Sequence, residues 1–391
     1  MLTRDFDFDL PEELIAQHPV PRGSSRLLVV DPPGDRPAPE GRMDGLPQIH
    51  HQSIRDLPQL LDPGDLLVVN DTRVIPARLF AHREPGGGRV ELLLAEKLDE
   101  LTWEVLLKPG RKTPPGTRLR LPYLAGSFAA DSAAGEEAPK PPADIHRPAN
   151  IRLRAQVLAL GVDGRRIVRF SQPIENHWEE LGHMPLPPYV KRPDSPEDRR
   201  RYQTVWAQQD GAIAAPTAGL HFDSDLLEAL EKRGVQRASV TLHVGLGTFK
   251  PVTAELVHEH RMDAERWILP HSTAGAIAET RARGRRVIAV GTTVVRTLES
   301  AALAAHREPN PSQALLGGEG RSELFITPGF RFRVVDRLLT NFHLPRSTLL
   351  MLVSALAGQQ RILQSYAEAI AHRYRFYSYG DAMLLTRASR D

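Results

Sequence analysis

The sequence contains no cysteine, which excludes disulfide bonds, thiolate catalysis and cysteine-ligated metal sites. It also lacks any run of about 18 apolar residues, the length that spans a bilayer. The longest candidate extends only from Leu349 to Ala357, so we expect no membrane-spanning segment. The formal net charge of +2 is too small to indicate a nucleic-acid-binding protein by itself.

Several signatures of common chemistries are missing as well. Neither G-x-x-x-x-G-K nor G-x-G-x-x-G occurs, which argues against ATP and NAD as ligands. The absence of G-x-S-x-G argues against a serine hydrolase. No H-E-x-x-H occurs, and little in the sequence besides His258-Glu259-His260 has the spacing of metal ligands. We therefore expect no metal.

The composition is that of an ordinary soluble globular protein, with 41% hydrophobic and 25% charged residues. A chain of 391 residues can form more than one domain. Residues 1–14 are acidic and lack the basic and apolar regions of a signal peptide, so we expect a cytoplasmic protein. Arginine clusters at 199–201, 281–286 and 372–377 could bind phosphates and stack on bases, although a biased genome composition gives the same excess of arginine.

Strand and helix patterns predict two kinds of domain. Six strand-like runs follow one another without a convincing helix, separated by glycine and proline turns, which favours a small β-barrel. Elsewhere strands alternate with helices, an order that implies parallel strands with right-handed crossovers. We therefore predict a mixed α/β catalytic domain, residues 1–73 and 172–391, with an inserted all-β barrel domain at 74–171. The predicted barrel strands are 74–82, 89–98, 103–107, 117–121, 151–160 and 165–170.

The stretch from Gly211 to Val252 carries most of the unusual chemistry. Residues 214–222 combine small side chains, which let a backbone approach a ligand, with a hydroxyl and an imidazole. A short helix separates them from an alternating strand whose polar face carries Thr241 and His243. That strand runs into a glycine loop at 245–250, which places polar side chains at a carboxyl edge, where open α/β sheets bind ligands.

Two further polar groups follow apolar strands. Residues 70–73, Asn-Asp-Thr-Arg, end one strand, and Gly291-Thr292-Thr293 place backbone N–H groups and hydroxyls at a helix N-terminus that suits an anion or carboxylate. Each feature also has a structural explanation, since glycines form tight turns, histidines occur in cores and residues 70–73 can cap a turn. Taken together they suit proton transfer and small-molecule binding, which indicates a cytoplasmic enzyme.

Three long strings carry a resemblance to a known family: APTAGLHF at 215–222, VTLHVGLGTFKPV at 240–252 and LLTNFHLPRSTLLMLVSA at 338–355. They closely resemble the S-adenosylmethionine:tRNA ribosyltransferase-isomerase family of queuosine biosynthesis. The resemblance extends from Phe6 to Met383 and implies an α/β domain with an inserted β-barrel, which agrees with the fold predicted from the residues.

The resemblance also implies a reaction. Enzymes of this family transfer and isomerise the ribosyl group of S-adenosylmethionine onto 7-aminomethyl-7-deazaguanine in a tRNA anticodon. The products are epoxyqueuosine, adenine and methionine. The implied partners are therefore this tRNA and S-adenosylmethionine, which is a consumed substrate and leaves no resident cofactor. We further expect a monomer that uses no metal.

From the resemblance, the catalytic candidates are His221 and His243, with His343 third. Arg73 is a candidate for the methionine carboxylate, with Thr292, Thr293 and Arg296 as alternatives. An aromatic ring could face the sulfonium or stack on a base. The rings considered are Phe222, Phe249 and Tyr379. The predicted substrate-binding residues are Asn70, Asp71, Thr72, Arg73, Pro216, Thr217, Gly219, Phe222, Gly245, Gly247, Thr248, Phe249, Thr292, Thr293, Arg296, Asn341, Tyr379 and Asp381.

Two positions depart from the family pattern. Asp263 stands where relatives usually have a histidine, and Thr327 stands where they often have a tyrosine, so neither inherits the role of the residue it replaces. Two other classes stay open at this point. A different S-adenosylmethionine enzyme, such as a methyltransferase, would release S-adenosylhomocysteine instead of adenine. A noncatalytic RNA-binding module would bind tRNA without consuming S-adenosylmethionine.

Overall fold

The structure, a computed structural model, describes residues 1–32, 48–121, 153–245, 252–305 and 315–388. The chain forms two compact units. The first consists of Met1–Arg73 together with Gln203–Asp391, and the second of Val74–Tyr202.

The described strands are β1 (Arg26–Asp31), β2 (Gln48–Ser53), β3 (Leu66–Asn70), β4 (Thr72–Val74), β5 (Arg78–Glu84), β6 (Arg89–Lys97), β7 (Thr102–Lys108), β8 (Arg118–Leu121), β9 (Leu153–Leu160), β10 (Arg166–Phe170), β11 (Gln209–Ala212), β12 (Gln236–Leu242), β13 (Glu265–Leu269), β14 (Val287–Val290), β15 (Gly318–Ser322), β16 (Arg337–Asn341) and β17 (Ala382–Thr386). The described α-helices are α1 (Leu57–Leu60), α2 (Trp178–Leu181), α3 (Pro196–Arg201), α4 (Ser224–Lys232), α5 (His271–Ala282), α6 (Thr292–Ala305), α7 (Thr348–Ala357) and α8 (Gln359–Ala371).

Nine strands of the first unit form one sheet, in the order β15-β13-β12-β3-β14-β16-β17-β1-β2. Strands β12, β3, β14 and β16 are parallel, whereas β17 is antiparallel to β16 and parallel to β1. The sequences of β3 and β14, LLVVN and VIAV, are buried along their whole length. Such continuous apolar runs are typical of parallel strands that are covered on both faces.

Helices α1 and α4 cover one face of this sheet. Leu57 of α1 and Leu226 and Leu230 of α4 are buried in the same apolar cluster as Leu67 and Val69 of β3. Asp223 caps α4, because its carboxylate accepts a hydrogen bond from the Leu226 N–H at 2.9 Å. The cap fixes where α4 begins and therefore how the preceding segment, which carries His221, enters the helix.

The second unit contains a closed barrel in the order β10-β7-β6-β5-β8-β9, with every pair antiparallel. Alternate residues face inward, as in β9, where Leu153, Ala155 and Val157 are buried between exposed neighbours. The predicted mixed α/β fold with a β-barrel is thus confirmed. The predicted strand 74–82 is divided, since β5 begins only at Arg78, after Pro76, which has no N–H for a strand ladder.

The compact unit with the barrel extends beyond the predicted end of the inserted domain at residue 171. Its last part, up to Tyr202, is attached to β5 by backbone hydrogen bonds between Arg78 and His183, with N–O distances of 3.1 and 2.8 Å. The Arg78 guanidinium adds a bond of 3.0 Å to the Leu186 carbonyl. These long-range bonds leave no local signal in the sequence. None of the helices described here is both long and apolar enough to cross a membrane.

Candidate active site at the carboxyl edge of the sheet

One edge of the nine-stranded sheet collects most of the predicted site residues. Because β12, β3, β14 and β16 are parallel, their last residues meet at the same edge. Ala382, the first residue of antiparallel β17, lies opposite Asn341, the last of β16, so Asp381 reaches this edge as well. Open α/β sheets bind ligands at such an edge, since loops and helix N-termini converge there.

Asn70, at the end of β3, is fully engaged with neighbouring elements. Its side chain exchanges two hydrogen bonds with the Leu242 backbone, at 2.9 and 3.1 Å, and its amide also lies 3.3 Å from the Thr293 hydroxyl. The Asn70 backbone carbonyl accepts a bond of 3.0 Å from the Trp206 indole N–H. Asn70 therefore connects the ends of β3 and β12 with the start of α6.

His243 follows β12 and is half-buried beside residues 70–73. Its Nδ1 lies 2.8 Å from the Thr72 hydroxyl, and the neighbouring Asp71 accepts a bond of 2.6 Å from Thr241. Burial lowers the His243 pKa and the Arg266 charge lowers it further, against the opposing charges of Asp71 and Asp210. The imidazole is therefore neutral at pH 7, and Thr72 fixes the orientation of its ring.

Arg73 is the exposed member of this segment. Its guanidinium lies 3.5 Å from Asp210 and donates to the Ala207 carbonyl at 2.9 Å. Both ion-pair partners are more than half exposed, so the pair is screened by solvent.

His221 lies at the opposite end of the same edge. It ends a short 3₁₀ turn, Thr217–His221, and its Nδ1 lies 2.8 Å from the Ser25 hydroxyl, just before β1. Burial lowers the His221 pKa to about 4, against the opposing charge of Asp381. A neutral imidazole at pH 7 follows from this value.

The His221 imidazole and the Asn341 side-chain amide lie close together at this position. A hydrogen bond with the Asn341 side chain partly offsets the effect of burial on the His221 pKa, although no bond of good geometry reaches His221 Nε2 or Asn341 Oδ1 among the described residues. The other atom of the amide, Nδ2, donates to the Tyr377 carbonyl at 2.9 Å, which fixes its orientation.

The turn that ends at His221 lies over the end of β14, a strand between those that end near His243 and at Asn341. A Cβ added at Gly291, just before α6, would lie only 3.6 Å from Ala218 Cβ, so this turn packs over the end of β14. His243 and Asn341 end strands that are three positions apart in the sheet, which separates their backbones by roughly 14 Å. His221 and His243 therefore share one edge without forming a hydrogen-bonded pair.

Gly219 is required where the turn is most crowded. A Cβ at this position would lie 2.6 Å from Thr204 Cγ2 and 2.8 Å from Trp206 Cζ2, closer than real Cβ atoms approach. Trp206 in turn packs edge-on against Phe222, with ring centroids 5.1 Å apart. Phe222 is fully buried in the apolar cluster that also contains Leu67 and Leu226. Its ring therefore packs in the core and is not exposed for stacking on a base.

We expect Gly219→Ala to destabilise the protein by about 1–3 kcal/mol, since an extra methyl must displace well-packed neighbours. Gly275→Ala is the matched control, because a Cβ there meets no atom within 4 Å and the position is exposed in helix α5. That control should be neutral or more stable by up to about 1 kcal/mol, as alanine favours helices over glycine. Urea unfolding measures both, and equal stabilities would contradict the crowding of Gly219.

Arg296 and Gly245 belong to a buried structural network. The Arg296 guanidinium forms an ion pair with Glu265 and also donates to the carbonyls of Ser322 and Leu324, at 3.3 Å each. The other Glu265 oxygen accepts the Gly245 N–H at 3.0 Å. Because both charges are almost fully buried and matched, this geometry gives Arg296 a structural role in place of the predicted carboxylate contact.

His343 lies apart from the other two histidines. Its Nε2 is 3.1 Å from the Thr340 hydroxyl, and its backbone N–H donates to the Tyr366 hydroxyl of α8 at 2.8 Å. Thr340 and Asn341 are consecutive in β16, so their side chains point to opposite faces of the sheet. Burial lowers the His343 pKa to about 3. His343 thus packs on the face opposite to Asn341.

Asp381 holds the loop at 375–381, which leads into β17. It is fully buried and accepts hydrogen bonds from the side chains of Arg26 and Arg375, and from both of their backbone N–H groups. Burial opposes its ionisation, but the hydrogen bonds from Arg375 outweigh this effect and lower the Asp381 pKa. Tyr379 beside it is also buried. Both residues therefore shape the loop and are not exposed to a large ligand.

Other predicted residues either lie near the edge or fall outside the described part. Pro216, Thr217 and Thr292 belong to the turn and to the helix start that border it. Gly247, Thr248 and Phe249 lie outside the described residues. Three further residues that support the site, Ser25, Trp206 and Glu265, are not predictable from the sequence. Each acts through a partner that is at least 31 residues away, so no local pattern marks it.

The buried histidines make stability dependent on pH. Between the ordinary imidazole pKa of 6.5 and the lowered value of about 4, unfolded His221 binds a proton that folded His221 does not. The free energy of unfolding should therefore fall as the pH drops through this window, by about 3 kcal/mol for a shift of this size. Urea unfolding at several pH values measures the slope. His221→Gln, which does not titrate, should show a shallower slope, and an unchanged slope would contradict the burial of a neutral His221.

A mixed sheet with a parallel core and neutral histidines at its carboxyl edge, together with an antiparallel barrel in the second unit, defines an α/β protein with an added β-domain. The family model described as queuosine biosynthesis protein matches residues 3–385. The chain belongs to this family, that of the S-adenosylmethionine:tRNA ribosyltransferase-isomerases, and is accordingly a transferase and isomerase.

Individual relatives match along almost the whole chain. An S-adenosylmethionine:tRNA ribosyltransferase-isomerase from Pelotomaculum thermopropionicum is 47% identical, over 98% of this chain and 100% of its own. One from Gloeobacter violaceus is 48% identical, over 98% and 96%. A solved structure of an S-adenosylmethionine tRNA ribosyltransferase from Thermotoga maritima is 37% identical over 97% of this chain and 99% of its own, with a TM-score of 0.49.

Proposed function

We propose that the enzyme transfers and isomerises the ribosyl group of S-adenosylmethionine onto 7-aminomethyl-7-deazaguanine in a tRNA anticodon. The product is epoxyqueuosine in tRNA, and adenine and methionine are released. Family membership supports this reaction. The structural observation that carries it is the pair of neutral imidazoles, His221 and His243, at one edge of the sheet.

The reaction begins with removal of a C5′ proton that the adjacent sulfonium makes acidic, which needs a base. We assign this role to His243, because it is only half-buried and accessible to a substrate. When its Nδ1–H donates to the Thr72 hydroxyl, Nε2 carries the free electron pair that accepts the proton. The C5′ carbanion expels the ring oxygen from C4′, and this oxygen becomes an aldehyde at C1′ as adenine leaves with the C1′–N electrons and takes up a proton. The aminomethyl nitrogen then adds to C4′ and loses a proton, and C5′ bonds to C1′. The resulting alkoxide closes the epoxide on C5′ while methionine leaves with the C–S electrons.

His221 is better suited to hold the leaving adenine. A pKa of about 4 makes it a weak base but keeps it neutral, so one nitrogen can donate a hydrogen bond. If the Ser25 hydroxyl donates to Nδ1, Nε2 carries the proton and lies beside the Asn341 side chain. A donor beside an acceptor matches the N7 and amino group of adenine, and donation to a ring nitrogen favours departure of the base.

The methionine carboxylate fits the start of α6, between the two histidines. The N-terminus of this 14-residue helix offers backbone N–H groups and the hydroxyls of Thr292 and Thr293. Arg296, one of the alternatives, is already neutralised by Glu265. Arg73 lies at the exposed end of the same edge, so its side chain can contact the bound tRNA or substrate.

The proposal includes four further expectations. S-adenosylmethionine is consumed, so the enzyme needs no resident cofactor, and no step uses a metal. The chain acts as a monomer in the cytoplasm, where its tRNA substrate is found.

The test is to incubate the enzyme with S-adenosylmethionine and tRNA carrying 7-aminomethyl-7-deazaguanine, and then to analyse nucleosides and small products by mass spectrometry. We expect one adenine and one methionine for each epoxyqueuosine formed. S-adenosylhomocysteine together with a methylated nucleoside would identify a methyltransferase instead. Unchanged S-adenosylmethionine in the presence of bound tRNA would also refute the proposal.

A further inference from the structure

Three side chains that can bind a metal ion lie close together, away from the candidate active site. His51 lies on β2, an edge strand of the sheet, and Glu368 and His372 lie at the end of α8. His51 Nε2 is 3.3 Å from Glu368 Oε1, and His372 Nδ1 is 3.4 Å from the same oxygen. Within the described ranges, no other group of three or more histidine and acidic side chains has its ligand atoms so close together.

The local structure explains why these groups meet. Glu368 and His372 are four residues apart on α8, so they lie on one face of the helix. His51 approaches this face from β2, and its ring centroid is 4.3 Å from that of His372. All three side chains are partly exposed and can be reached from solvent.

We propose that His51, Glu368 and His372 bind a first-row transition-metal ion, of which Zn²⁺ is the main candidate. Ligand atoms around a tetrahedral Zn²⁺ lie about 3.3 Å apart, given zinc–ligand distances near 2.0–2.1 Å. Two of the three spacings already match this value, and all three ligand atoms lie within 4.8 Å of one another. Two imidazoles and one carboxylate suit Zn²⁺ and its neighbours, whereas Mg²⁺ and Ca²⁺ prefer oxygen ligands only.

A second layer of contacts orients the first ligand. His51 Nδ1 lies 2.9 Å from the Tyr374 hydroxyl, and a bond donated to that oxygen leaves Nε2 free for a metal. Arg26 stacks on the Tyr374 ring at 4.1 Å, but its charge is paired with Asp381. The repulsion between Arg26 and a bound cation is therefore reduced.

One existing contact must change when the ion binds. His372 Nδ1 lies 3.1 Å from the Glu368 carbonyl as well as near its carboxylate, so a bound metal replaces an exposed hydrogen bond. The ion would then join the edge strand β2 to the end of α8. The Arg26 guanidinium donates to the His372 carbonyl at 2.9 Å, which connects this position to the loop that Asp381 anchors.

The experiment uses the full chain without a histidine tag, after treatment with EDTA. It is titrated with CoCl₂, followed by visible absorption, and with ZnCl₂, followed by calorimetry. We expect one equivalent of each metal to bind, and Co²⁺ to give the spectrum of an imidazole-ligated ion. His51→Ala, His372→Ala and Glu368→Gln should each weaken Zn²⁺ binding by at least about tenfold, and Tyr374→Phe by about tenfold.

His258→Ala is the matched control, because His258 is exposed but belongs to no described ligand group, and its metal affinity should equal that of the unchanged chain. Melting in EDTA should be the same for the His51 and His372 variants and the unchanged chain, which separates lost ligands from lost folding. Absence of a one-equivalent site would overturn the proposal. So would metal binding that survives the substitution of both His51 and His372.

Discussion

His243→Gln should lower the rate of adenine release from S-adenosylmethionine by at least about 100-fold at saturating tRNA. Glutamine resembles histidine in size and can still bond to Thr72, but it cannot accept the C5′ proton. General-base catalysis of this kind contributes about 10² to 10⁴ to a rate. Adenine is measured by mass spectrometry of quenched samples, and thermal melting of the same preparation shows whether the fold is retained.

Two other histidine variants serve as a control and as a second test of the site. His271→Ala should keep the full rate, since His271 is exposed and follows β13, which runs antiparallel to β12 and therefore ends at the opposite edge of the sheet. His221→Ala should also slow adenine release, with a raised KM for S-adenosylmethionine, because it removes the group assigned to hold adenine. Normal turnover by both His221→Ala and His243→Gln would remove histidine acid–base chemistry from the account.

Arg296→Met should destabilise the protein by about 3–5 kcal/mol. The substitution leaves the Glu265 carboxylate buried without its cation, and breaking one side of a buried ion pair typically costs this much. The hydrogen bond from the Gly245 N–H to this carboxylate does not neutralise its charge. Urea unfolding at pH 7 gives the free energy of unfolding directly.

The double variant Arg296→Met with Glu265→Gln is the control for this prediction. It removes both charges, so it should recover a large part of the lost stability. The alternative role, a contact with the methionine carboxylate, predicts a raised KM for S-adenosylmethionine with little change in stability. A stable Arg296→Met enzyme with a raised KM would therefore contradict the structural role.

The fold could be predicted because its signals are local. The alternation in strands such as β9 and the turns between them indicate a barrel, and the apolar runs of β3 and β14 indicate a parallel sheet. The extent of the second unit could not be predicted. Its last part is attached to β5 by bonds between Arg78 and His183, and a pairing over 105 positions leaves no periodic pattern.

The sequence indicated which types of residue lie at strand ends, but it did not indicate which partners these residues contact. Polar residues after apolar strands led us to expect Asn70 and His243 at the carboxyl ends of strands, and the structure places both, together with Asn341, at one sheet edge. Whether a side chain faces a substrate or the protein depends on partners that are distant in sequence. Glu265 occupies Arg296, and Ser25 orients His221, although the sequence marks neither pair.

Ligand groups assembled across the fold are the hardest to find from sequence. His258 and His260 have ligand-like spacing, yet the described group combines His51 with Glu368 and His372, more than 300 positions apart. Only the packing of β2 beside α8 brings these side chains together.

The central claim is that this sheet edge moves a ribose from S-adenosylmethionine to RNA. It is tested most directly with S-adenosylmethionine labelled with ¹³C at all five ribose carbons and with tRNA that carries 7-aminomethyl-7-deazaguanine. The account predicts that all five labelled carbons appear in the modified nucleoside, while adenine and methionine leave without label. Label that remains in S-adenosylhomocysteine, or a modified tRNA without label, would contradict it.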